Sequence, residues 1–326
     1  MLRVLHNTAR RGKFWFIVLV SMAIVAAIAF ISLNQGPPLD AIQVSLADKS
    51  AVPQVLGNNN DDYNQPGNTS LRVAIAGVLS PSSTLEAYQD LLTYMGDSLD
   101  RQVLMILKPT YAEINDMLMG QRADVAFVCS LAYVKGNQDF GMELLVAPRI
   151  NEEIVYYSYL IVPEVSGASN MEDLRGRSFA FTDPMSNTGH LAPSYQLSLL
   201  GETTASFFGS YYFTYSHDIS VRAVADRLVD GAAVDSLVYE QMIAKEPELA
   251  SKVKILARWG PYGMPPVVIN PELDSQLKRQ LQELFLGMHD SDEGRNLLSN
   301  LDIDLFKVVP DDLYDSIREM TTKLGW

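Results

Sequence analysis

A chain of 326 residues is too long for one compact core and long enough for two lobes with attachments. Its 25 Lys and Arg stand against 39 Asp and Glu, a net charge of -14, which argues against a polyanionic partner such as nucleic acid. One cysteine, Cys129, and four histidines exclude an internal disulfide, a multi-cysteine metal centre and a histidine-rich one. Neither a metal nor a cofactor is expected.

Phe14 to Leu33 is a run of uncharged, mostly apolar residues, preceded by Arg3, Arg10, Arg11 and Lys13 with no acid among them. A stretch of that length spans a bilayer core as a helix, and the basic flank places its start in the cytoplasm. The run is longer than a typical signal h-region and exits through Phe30-Ile31-Ser32-Leu33-Asn34, so an uncleaved anchor is favoured over a cleaved signal peptide. Residues 1–13 are then a cytoplasmic tail, 14–33 a single-pass membrane anchor, and everything beyond is periplasmic or extracellular. Residues 34–70, broken by Pro37-Pro38, Gly57, Asn58-Asn59-Asn60 and Pro66-Gly67, read as a flexible linker.

From Leu71 short β-favouring runs alternate with helical periods. Strands are predicted at Leu71–Ala76, Gln102–Leu107 and Asp124–Val128, with helices over Leu85–Leu99, Tyr111–Met119 and from Leu131. The rhythm resumes with strands at Tyr159–Val162, Ser178–Phe181, Tyr211–Tyr215, Ala233–Val238 and Lys252–Ala257, interleaved with helices at Leu191–Leu200 and Val221–Val229. The segment Pro265–Ile269 and helices around Ser275–Met288 and Asp311–Lys323 follow. Such alternation implies parallel sheets covered on both faces. The fold class is therefore α/β, two-lobed, with a ligand cleft between the lobes. Residues 71–158 and 265–326 form lobe 1, residues 159–264 lobe 2, and the chain crosses between them near Tyr157–Val162 and Trp259–Val267.

The stretch from Ser178 to His217 carries the chemistry. After the strand comes Thr182-Asp183-Pro184-Met185-Ser186-Asn187-Thr188-Gly189, then a helix. Hydroxyls, an amide and a glycine at a helix start suit a tetrahedral oxyanion, because free N–H groups and the positive dipole end meet there. Helix capping alone accounts for Ser186 or Thr188 equally well.

This segment resembles the periplasmic phosphate, phosphite and phosphonate-binding proteins of ABC importers, the PhnD-like family. The resemblance rests on Ala123–Phe127, Tyr157–Val162, Asp173-Leu174-Arg175-Gly176, Asp183-Pro184, the Ser186–Gly189 turn with Pro193 behind it, Ser216-His217-Asp218 and Gly231–Asp235, in that order. It implies a type II periplasmic binding protein fold. It further implies that Ser186, Asn187, Thr188 and Gly189 receive the anion, that His217 donates a hydrogen bond, and that Tyr111 and Tyr156 close the cleft. Tyr157 competes with Tyr156 for its register, and Tyr133 is a weaker candidate. The turn departs from the family pattern at Asn187, where a hydroxyl residue is usual.

Near the second crossing, Gly260–Pro266 contains no acid to receive an ammonium group. The expected ligand is thus phosphite, phosphate or an alkylphosphonate, with Asp183 or Asp235 a candidate buried acceptor. An ABC permease is the implied partner and the ectodomain is expected to be monomeric. Alternatives are a sensing ectodomain that reports to a membrane partner, or a sulfonate-binding protein of the same fold. Ser186, His217 and Asp235 resemble a catalytic triad only in order, and no Gly-x-Ser-x-Gly elbow is present, so an enzyme is not expected.

Overall fold

The computed structural model describes residues 42–45, 70–78 and 81–326. The expected cytoplasmic tail (1–13), the membrane span (14–33) and most of the linker (34–70) lie outside them. Among the described residues no helix is long and apolar enough to cross a membrane.

The strands are β1 (Ile42–Ser45), β2 (Leu71–Ala76), β3 (Val103–Lys108), β4 (Val125–Phe127), β5 (Glu143–Arg149), β6 (Val155–Pro163), β7 (Ser178–Phe181), β8 (Ser210–Phe213), β9 (Gly231–Asp235), β10 (Val253–Gly263), β11 (Val267–Ile269) and β12 (Leu305–Lys307). The helices are α1 (Pro81–Leu99), α2 (Tyr111–Met119), α3 (Ser130–Phe140), α4 (Ala192–Leu199), α5 (Thr204–Phe207), α6 (His217–Ala225), α7 (Ser236–Lys245), α8 (Ser275–Gly287), α9 (Asp292–Asn300) and α10 (Asp315–Leu324). They surround two sheets, one ordered β1-β3-β2-β4-β11-β5-β12 and the other β10-β6-β9-β7-β8.

Both sheets are mixed, which corrects the expectation of parallel ones. Strand β2 runs parallel to β3 and β4, and β7 parallel to β8 and β9, each through a helical crossover. Strand β11 is antiparallel to β4 and β5, while β6 is antiparallel to β9 and β10. The antiparallel strands lie where the chain changes sheets, between Arg149 and Val155 and again between Gly263 and Val267.

The segment expected as a free linker is also corrected in part. Ile42–Ser45 pairs antiparallel with Leu104–Leu107 of β3, covering a sheet edge that would otherwise expose unpaired backbone groups.

Strand alternation sends side chains into two apolar layers per sheet. Val73 and Ile75 pack with Leu92, Met95 and Phe285, while Ala74 and Ala76 face Ile114 and Leu118. In the second sheet Ile161 joins Val221 and Val224, and Leu160 and Val162 join Phe179, Phe181 and Phe207. Each fully buried large side chain contributes about 1.5–3 kcal/mol. These layers fix the helix starts that build the site. At α2, for example, Thr110 caps the amide of Glu113 and the Glu113 carboxylate returns to the Thr110 N–H, a reciprocal capping box.

Candidate functional site

The chain leaves β7 and turns through Asp183 into a short π-helical turn, Asn187–Leu191, that continues as α4. Its widened geometry has a local cause. Pro193 has no N–H for the carbonyl of Gly189 four residues earlier, and that carbonyl instead accepts from Thr182 N–H at 3.3 Å. Gly189 itself is required by close approach, since a Cβ there would lie 1.8 Å from Thr182 Oγ1.

Ser186 Oγ accepts from Gly189 N–H at 3.0 Å, so the hydroxyl caps the turn while its own proton remains to be donated. Asn187 Nδ2 donates to the Tyr156 hydroxyl at 3.1 Å. The Thr188 carbonyl accepts from Ser158 Oγ at 2.6 Å. Among the described residues, Thr188 Oγ1 and its N–H have no hydrogen-bond partner, leaving two donors at the start of the turn. All four residues of the turn are buried.

His217 opens α6 after Tyr215, whose positive φ of 58° bends the chain from β8 toward the helix. The His217 N–H donates to the Val78 carbonyl at 3.1 Å, and its ring Nδ1 accepts from Asp235 N–H at 2.9 Å. The ring proton therefore sits on Nε2. Burial lowers the His217 pKa to about 3, so this imidazole is neutral and offers an N–H donor.

Asp235 ends β9 and caps α7, its carboxylate accepting from Leu237 N–H at 2.7 Å. Burial raises its pKa to about 7, with that backbone bond opposing. Asp183 is likewise buried and shifted upward by desolvation, against the pull of two amides. Its carboxylate receives Met185 N–H at 2.6 Å and, from the first turn of α2, Tyr111 N–H at 3.3 Å.

Burial holds both Tyr111 and Tyr156 far above the ordinary phenol value. Both phenols therefore keep their protons. Ser130 Oγ donates to the Gly263 carbonyl at 2.6 Å and also lies 3.2 Å from the Tyr156 hydroxyl.

All eight expected residues thus meet at one buried locus. The first turns of α2 and α3 are bonded to the Asp183–Met185 loop, and the first turn of α6 to the cap of α7. Three contributors were not singled out from the sequence. Cys129 caps α3, donates its thiol to the Met185 carbonyl at 3.1 Å and is pushed up to about 12 by burial. Ser130 and Ser158 supply the bonds given above. For Cys129 and Ser130 a signal existed: a strand followed at once by a small polar residue opening a helix, the same grammar as the Ser186 turn.

Other candidates resolve elsewhere. Tyr133 donates to Asp311 and packs edge-on against Tyr314. Tyr157 lies under the Arg258 guanidinium at 3.5 Å, so Tyr156 is the inward member of the pair. The triad order does not become a relay, since Asp235 meets His217 through its backbone N–H rather than its carboxylate.

The geometry has counterparts among known proteins. Residues 73–314 match the family model described as the periplasmic phosphonate substrate-binding protein of ABC transporters. A binding-protein component of an ABC phosphonate transporter from Pseudomonas aeruginosa superposes with a TM-score of 0.75 at 22% identity, over 79% of this chain and 87% of that one. PhnD1 from Prochlorococcus marinus, solved with methylphosphonate, gives 0.72 at 18% identity, over 79% and 99%. The aliphatic sulphonate-binding protein SsuA from Escherichia coli gives 0.52 at 14%, over 78% and 91%. At these identities the superpositions establish a shared two-sheet binding-protein fold, and the family model establishes the relationship. The family is one of transporter substrate-binding proteins, not enzymes. The chain belongs to the periplasmic phosphonate-binding proteins of ABC transporters.

Proposed function

We propose that the chain captures a small phosphorus oxyanion (phosphite, phosphate or an alkylphosphonate such as methylphosphonate) and hands it to an ABC permease. The observation that carries this reading is the neutral His217 ring with its Nε2 proton directed by the Asp235 bond, beside the buried Thr188 of the turn. The ligand oxygens are received by Ser186, Asn187 and Thr188, by His217, and by the hydroxyls of Tyr111 and Tyr156, with Gly189 shaping the turn. Five or six hydrogen bonds to a charged ligand, at about 1.5–3 kcal/mol each, exceed the roughly 8 kcal/mol of a micromolar complex. The surplus is offset by closure and ligand immobilisation.

In this reading residues 71–158 and 265–326 act as one lobe and 159–264 as the other, hinging over the ligand. Residues 14–33 tether a monomeric ectodomain to the membrane. The aliphatic ligand of the Prochlorococcus protein fits a site with no acid near Gly260–Pro266 for an ammonium tail.

Sulfonate is the competing ligand class, and Asp235 separates the two. A singly protonated phosphorus oxyanion brings an O–H that a buried carboxylate accepts, whereas a sulfonate brings none and leaves that acceptor unpaired. The test is calorimetric titration of the full chain, purified in detergent and freed of carried ligand by unfolding and refolding. The panel is phosphite, phosphate, methylphosphonate, 2-aminoethylphosphonate and an alkylsulfonate. One phosphorus anion should bind at micromolar affinity or better, with the sulfonate weaker and the preference reduced by Asp235→Asn. Tighter sulfonate binding, or no binding across the panel by folded protein, overturns the reading.

A further inference from the structure

The last helix, α10, follows β12 of the first sheet, yet its far end lies on the segment that carries the ligand turn out of the second. It packs on α3 and on α4 together, and Ile317 and Met320 share an apolar cluster with Tyr133, Leu191 and Ala192. The helix stops in a Schellman turn: Gly325 takes φ 69°, its N–H reaches the Thr322 carbonyl, and Trp326 N–H reaches that of Thr321. That left-handed residue turns the chain back and lays the Trp326 indole on His190, ring centroids 4.6 Å apart and tilted 37°.

His190 belongs to the π turn itself. Its Nδ1–H donates to the Pro184 carbonyl at 2.9 Å, tying the loop that contains Asp183 back onto the helix start. Phe181 and Phe213 hold the ring edge-on at 5.0 and 4.9 Å, and Trp326 completes the enclosure. One helical turn earlier in α10, Lys323 Nζ reaches the Tyr195 hydroxyl of α4 at 3.1 Å.

We infer that Trp326 and Lys323 form an external clamp that holds the His190 turn against the first sheet, making them positioning residues for ligand retention. The clamp acts with the inter-sheet bonds on the inside, Tyr111 N–H to Asp183 and His217 N–H to Val78. Separating the sheets breaks both sets at once, so the clamp slows opening and therefore ligand release. Its role in release rests on the ligand turn of the proposed function; its role in opening does not. Trp326 is 40% exposed, so its removal leaves the apolar layers intact.

The test compares wild type, Trp326→Ala and Trp326→Phe in the full chain in detergent, by hydrogen exchange of peptides containing Tyr111 and His217 and by the dissociation rate of phosphite and methylphosphonate. An aromatic contact of this kind corresponds to roughly two- to tenfold in an equilibrium. Exchange at both peptides and ligand dissociation should rise by that factor in Trp326→Ala, stay near wild type in Trp326→Phe, and leave the amides of β2 unchanged. Unaltered exchange at Tyr111 and His217, or faster exchange that β2 shares, overturns the clamp. If neither anion binds wild type while Trp326→Ala still speeds exchange at those two peptides alone, the ligand reading fails and the clamp stands.

Discussion

Asp235 N–H donates to His217 Nδ1 at 2.9 Å, and this single backbone bond decides which ring nitrogen carries the proton. The His217 pKa of about 3, lowered by burial, keeps the imidazole neutral across the working range. His217→Ala should weaken phosphorus-oxyanion binding by about 10- to 100-fold, the loss of one hydrogen bond to a charged partner. Calorimetry of the variant against wild type measures it.

The same residue sets a pH slope on stability. Between about 3 and the ordinary histidine value the unfolded chain holds a proton that the folded ring does not. Stability contributed by neutral His217 is therefore complete above that ordinary value and is lost as the pH falls through the window. His217→Gln should flatten this part of the curve in urea denaturation from pH 7 to pH 4.

Asp235 acts with the opposite sign. Its pKa, raised by burial to about 7, means that the folded chain keeps a proton the unfolded chain has released above the ordinary carboxylate value. Its contribution to stability is complete below that value and is lost as the pH rises toward 7. Asp235→Asn should remove this dependence and stabilise the ligand-free chain at pH 8 by about 1–4 kcal/mol. A variant no more stable than wild type at pH 8 would show that burial does not raise the Asp235 pKa in the ligand-free fold.

Gly189→Ala places a methyl 1.8 Å from Thr182 Oγ1 and 2.8 Å from its Cβ. The expected outcome is a loss of about 1–3 kcal/mol in stability together with loss of ligand binding, because the turn must shift. Adding Thr182→Gly should restore much of the stability, read by thermal unfolding of the double variant.

Asp183 holds two amides from different elements, Met185 N–H and Tyr111 N–H. Asp183→Ala leaves both without their acceptor, and should speed hydrogen exchange at Tyr111 and weaken ligand binding about tenfold. Asp183→Asn, which keeps an acceptor oxygen, should fall between the two.

Much of the architecture was legible because short patterns were strong. The runs at Leu71–Ala76, Tyr111–Met119 and Ser178–Phe181 form those elements with the same bounds. Strand direction was not legible, since a buried strand has the same composition whichever way its neighbour runs; β11 and β6 each enter from the other sheet and run antiparallel to their neighbours. Ile42–Ser45 lies in an apolar patch, Ala41–Leu46, whose sequence suits a transient helix or strand equally, and it gains a partner only from the edge of β3. In the site, the Ser186 turn announced itself by its polar residues ahead of a helix. The bond between His217 and Asp235 did not, because it depends on α6 and β9 meeting in space. Cys129 and Ser130 were passed over although they open α3 just as Ser186 opens its turn.

The donors that meet at this locus are neutral: an imidazole, phenols, hydroxyls and backbone amides, with no Lys or Arg side chain among those described there. The chain around them carries a net charge of -14. An incoming anion is therefore slowed by the molecule's field and bonded only after it has crossed that field. Raising ionic strength should accelerate capture, the reverse of the salt effect for an electrostatically steered ligand, while release, governed by short contacts out of reach of solvent, should hardly change. Such a protein binds its anion more tightly in brine than in dilute buffer.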